Sequence, residues 1–274
     1  MISVPPDDPP VRAEHGAHST SRLDHPAAGG SGRHPTRVTR RGLVLAAVLL
    51  LIAYLGLTAI WAGLGLLVTG PLADSPMGTV DQDVAGWLAA HRTPVLDDWS
   101  RLGTMPADTR VKIIATATIA AVMLIAWRSW REPLLVCLAL ILEAAVFITV
   151  TGIVGRPRPN VAQLDQVSVD TSFPSGHAAA AAAYCAIAIV IFERTRNRWL
   201  RTITALLAVG LPVIVGICRM YRGVHYLTDV IAGIALGVAC VVAVYAIIRR
   251  CFQPPPGPER QGSAPGQSPR PDPR

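Results

Sequence analysis

Of the 274 residues 51% are apolar and only 16% charged, the net charge is +7, and the mean hydropathy is +0.41. This profile excludes an ordinary soluble enzyme and points to a membrane protein. The basic residues sit between apolar runs, not on a polar domain with interleaved aromatics, so no nucleic-acid partner is expected and orientation in a bilayer explains them.

Residues 1–39 are rich in Pro, Gly, Ser and His and show no apolar period, which predicts a disordered tail. His15, His18, His25 and His34 are irregularly spaced within it, so they are read as solvated and not as a metal site. The first apolar run, 43–68, exceeds the ~20 residues that cross a bilayer and follows Arg37, Arg40 and Arg41, so it reads as a retained span and not a cleaved signal. Between 70 and 108 four prolines break a polar stretch. Its amphipathic piece, 80–90, predicts a helix lying on the membrane surface or packed on the bundle.

Five further spans are predicted at about 111–127, 133–154, 178–192, 200–217 and 226–248. The Ala-rich fourth span is expected in the middle of the bundle, because small residues let helices approach closely. The five cysteines show no metal-ligand spacing and read as small core residues. Trp127, Trp130, Trp199, Tyr221 and Tyr226 read as interfacial anchors. The fold class expected is therefore all-α, a six-transmembrane helical bundle over 40–250, with disordered tails at 1–39 and 251–274.

With six alternating spans, Arg37, Arg40 and Arg41, Arg128 and Arg131, Arg194 to Arg201, and Arg249 and Arg250 fall on one side, which predicts both termini cytoplasmic. The opposite face then receives GRPRP from Gly155, PSGH from Pro174 and the turn from Arg219 to His225. Arginines placed against the charge bias need a local reason, and a bound anion is the simplest. Arg158 and Arg219 can each offer a planar fork of donors to phosphoryl oxygens. Ser175 and the Gly176 amide stand at a helix start, where free N–H groups favour an anion. Asp229 stands four positions after His225, so the carboxylate can orient the ring for nucleophilic attack while His177 serves as general acid. Glu143, in mid-span, reads either as a functional group facing the bundle interior or as a neutral structural carboxyl.

These residues also resemble, over roughly 80–248, the three-part motif of the type 2 phosphatidic acid phosphatase superfamily of integral membrane lipid phosphatases. The resemblance implies removal of phosphate from a lipid phosphate or diphosphate without metal or cofactor, at an extracytoplasmic site in a plasma-membrane protein. By the same resemblance His225 and Asp229 form the nucleophile pair and His177 the general acid, while Arg158, Ser175, Gly176 and Arg219 bind phosphate. Phosphatidic acid, phosphatidylglycerol phosphate and polyprenyl diphosphate all fit as substrate. The alternatives are a lipid-linked phosphotransferase and a catalytically impaired lipid-binding membrane protein. Two positions depart from the pattern: Thr151 stands where the family's first motif opens with lysine, and Cys218 where the third opens with serine. Arg156 and Arg222 are the candidates to supply the missing cation.

Overall fold

A computed structural model describes residues 39–166 and 170–252, so the expectations for the tails and for the four N-terminal histidines lie outside the described residues. Among those residues the secondary structure is helical: α1 (Arg40–Thr69), α2 (Pro76–Ala90), α3 (Pro94–Thr104), α4 (Thr109–Trp127), α5 (Arg131–Val154), α6 (Gly176–Ala183), α7 (Cys185–Arg194), α8 (Arg198–Tyr221) and α9 (Leu227–Phe252). Six of the resulting segments are long and apolar enough to cross a membrane, with α6 and α7 together making one of them. The chain is a multi-pass membrane protein, as its hydropathy predicts.

Local chemistry sets the helix ends. Thr39, Ser75, Thr93 and Asn197 each accept a hydrogen bond from a first-turn amide, and Pro76 and Pro94 occupy first-turn positions where no N–H is needed. Gly155 ends α5 at φ 61°, a left-handed conformation that costs glycine little.

At one side of the bundle α1, α5 and α8 end while α4, α6 and α9 begin. There a Cβ on Gly65 of α1 would meet Val154 and Phe173, and the Ser175 amide donates to Asp229 O. At the other side a Cβ on Gly42 would come within 3.1 Å of Cys251 O, Glu132 pairs with Arg194, and Trp130 packs edge-on against Phe252. The Ala-rich segment is central, as expected: a Cβ on Gly233 would come within 2.4 Å of Ser175 O, and one on Gly237 within 2.2 Å of Ala179 O. Only glycine on α9 permits that approach to α6.

The surface helix predicted at 80–90 belongs to a longer pair, α2 and α3, anchored to the bundle by the buried Asp81 and by Gln82, which donates to the Tyr226 hydroxyl. Trp87 and Trp99 stay exposed. Tyr221 and Tyr226, expected as interfacial anchors, are buried instead. Tyr221 donates to Asp97 Oδ1, and the Tyr226 ring lies 4.3 Å from the Arg156 guanidinium.

Candidate active site

A cavity of about 830 Å3 opens on the side of the bundle where α4 and α6 begin. Arg158, Gly176, His177, Arg219 and His225 line it, so residues from three separate sequence motifs share one wall. Ser175 and Asp229 are not among the lining residues; both are fully buried just behind it.

The segment leaving α5 doubles back on itself. Pro157 bridges Thr171, and the Ser172 amide donates to Arg156 O at 2.8 Å. This fold brings the Ser172 carbonyl to 2.8 Å from His225 Nδ1. A carbonyl only accepts, so Nδ1 carries the proton and Nε2 keeps the lone pair. His225 precedes α9, which starts at Leu227, and does not share a helical face with Asp229 as its spacing suggests. The two still meet, with Nδ1 3.8 Å from Asp229 Oδ2. The carboxylate itself is fixed by the Tyr226 amide (2.8 Å) and by Arg156 Nη1 (2.5 Å). Burial pushes the His225 pKa below its ordinary value, against the opposing pull of Asp229.

His177 Nε2 lies 3.0 Å from Asp108 Oδ1. Asp108 is the residue before α4, yet its side chain makes no capping bond and turns to the histidine instead. Arg219 Nη1 donates to Asp165 Oδ2 at 2.8 Å, and Arg222 Nε to Asp165 Oδ1 at 2.7 Å. Burial raises the Asp165 pKa, but the Arg222 hydrogen bond and the charges of Arg219 and Arg222 outweigh it, and the carboxyl stays below its ordinary range. Arg158 Nη1 donates to Val224 O at 2.5 Å, tying the first motif to the third.

Several sequence expectations take a different form here. Ser175 caps α6, its hydroxyl accepting from the Ala178 amide at 3.4 Å, and Gly176 alone of that pair reaches the cavity. Neither Arg156 nor Arg222 lines the cavity. Arg156 is held between Asp81 (2.8 Å) and Asp229, and Arg222 is bound by Asp165, Ser100 and the Asp97 carbonyl. Arg156, Arg219 and Arg222 thus each pair with a carboxylate of the chain itself. Thr151 is buried with its hydroxyl donating to Phe173 O. The cavity also draws in Asp108, Lys112 and Asp165, which sequence reasoning missed: each is a single residue in a loop or a helix start, with no motif around it.

Residues 132–253 match the PAP2 superfamily. That stretch is a little under half of the chain. Phosphatidylglycerophosphatase B of Bacillus subtilis (strain 168) is 38% identical to this protein over 89 residues, 30% of the chain and 41% of the relative. The bacitracin transport permease protein BcrC of Bacillus licheniformis is 36% identical over 88 residues, 32% of the chain and 38% of the relative. The aligned stretch thus spans about two fifths of the length of either relative. The crystal structure of a transmembrane PAP2 type phosphatidylglycerolphosphate phosphatase from Bacillus subtilis superposes with a TM-score of 0.58 at 25% identity, covering 74% of this chain and 96% of the other.

Proposed function

We propose that this protein is a lipid phosphatase of the PAP2 type that works without metal through a phosphohistidine on His225. The observation that carries the reading is the fixing of His225 Nδ1 by the Ser172 carbonyl, which leaves the Nε2 lone pair as the ring's nucleophile at a wall shared with His177, Arg158 and Arg219. Arg158, Arg219 and the Gly176 amide bind the phosphoryl oxygens, and Asp229 stabilises the charge that His225 gains. In the first step His225 Nε2 bonds to phosphorus as the bond from phosphorus to the leaving oxygen breaks. His177, as an imidazolium between Asp108 and the phosphate's negative charge, gives its proton to that oxygen. In the second step His177 takes a proton from water, the water oxygen bonds to phosphorus, and the phosphorus–nitrogen bond breaks to release inorganic phosphate.

Basic residues such as Arg40, Arg128, Arg194, Arg198 and Arg249 lie at the helix ends remote from the cavity. That charge placement supports cytoplasmic termini and an extracytoplasmic site in the plasma membrane. The test is phosphate release by purified protein from phosphatidic acid, phosphatidylglycerol phosphate and polyprenyl diphosphate, with His225→Ala as control and EDTA present. Release that EDTA leaves intact and His225→Ala abolishes is expected. No release from any of the three overturns the reading.

A further inference from the structure

Lys112 and Glu143 line the cavity from neighbouring helices α4 and α5, with Nζ 3.4 Å from Oε2. Charges inside a spanning bundle are costly to bury unless they serve a cavity or its chemistry. Glu143 is 1% exposed, and its Oε1 has no hydrogen-bond partner among the described residues. Lys112 has three N–H donors, and its bond to Glu143 engages one of them at a long distance.

Their depth is set by Phe147, whose ring lies 2.9 Å from where a Gly176 Cβ would stand, level with the start of α6. Glu143 is four residues back along α5, one helical turn or about 6 Å further from the end at which the histidines sit. Lipid tails lie toward the bundle's middle, so this pair occupies the place of whatever joins the scissile phosphate to the tail.

We propose that Lys112, oriented by Glu143, holds a second anionic group of the lipid headgroup one turn below the histidines. The site then selects lipids with two phosphate groups over lipids with one. The unpartnered Glu143 oxygen accepts from a headgroup hydroxyl or a water bridging to that second group. This rests on the phosphatase reading and adds a substrate class to it. Phosphatidylglycerol phosphate and polyprenyl diphosphate each carry a phosphate between the scissile group and the tail, whereas phosphatidic acid does not.

The experiment compares kcat/KM of wild type, Lys112→Met, Lys112→Arg and Glu143→Gln on all three lipids, in the full chain in detergent. Lys112→Met is expected to lower kcat/KM on both two-phosphate lipids by about 10-fold or more and on phosphatidic acid by less than about 3-fold, with Lys112→Arg restoring part of the difference. Turnover of phosphatidic acid serves as the internal control for folding. Equal losses on all three lipids, or none, overturn the proposal while leaving the phosphatase reading in place; a wild type silent on every lipid overturns both.

Discussion

Arg156 Nη1 stands 2.5 Å from Asp229 Oδ1, and the same guanidinium reaches Asp81 Oδ2 at 2.8 Å, so the carboxylate behind His225 is held from its far side by a residue outside the cavity. The pair is buried on both sides. Burial lowers the Arg156 pKa, but the charges and hydrogen bonds of Asp229 and Asp81 more than reverse this, and the guanidinium titrates above its ordinary value.

Removing that guanidinium leaves two buried carboxylates uncompensated. Arg156→Met is expected to destabilise the fold by about 3–5 kcal/mol and to lower activity with it. Thermal unfolding in detergent checks this. A variant that keeps its melting temperature and only raises KM would place Arg156 on the substrate.

On the proposed mechanism His225 attacks only while Nε2 is unprotonated, and burial holds its pKa below the ordinary ~6.5. Rate is therefore lost as pH falls through a value below that, and the acidic limb of kcat/KM belongs under pH ~6.5. A pH–rate profile measures it. An acidic limb above neutrality would contradict a buried, neutral imidazole as nucleophile.

Asp165 occupies part of the Arg219 donor set that a phosphate would use. Asp165→Asn removes that competing charge, and the inhibition constant of inorganic phosphate is expected to fall by about 5-fold, equivalent to ~1 kcal/mol. Phosphate inhibition of wild type and variant decides it. A rise in the constant would show that Asp165 positions Arg219 more than it competes for it.

Gly237 faces Ala179 O so closely that a methyl would stand 2.2 Å from it. Gly237→Ala is expected to cost about 1–3 kcal/mol through forced separation of α9 from α6. His177 and Asp229 ride on those two helices, so kcat falls as well. A melting temperature and kcat both unchanged would contradict the tight α6–α9 contact.

The spans were legible because twenty apolar residues in a row have few other uses, and three of the site's side-chain sources stood in recognisable motifs. The partners were not. Asp108 meets His177 across 69 residues, Asp165 meets Arg219 across 54, and Lys112 meets Glu143 across 31. Contacts of that range depend on which helix ends come together, and no local pattern records them. Arg156 and Arg158 looked alike in sequence because both are arginines of one short loop. In the fold Arg156 pairs with Asp81 and Asp229 behind the site, whereas Arg158 lines the cavity, and that separates a structural ion pair from a cavity wall.

The central claim is the covalent step, and trapping it is the most direct test. Protein quenched during turnover of a phosphate-labelled lipid and digested for mass spectrometry is predicted to carry an acid-labile, base-stable phosphoryl group on His225, absent from His225→Ala. Steady turnover with no label on His225, or with label on another residue, would contradict the account.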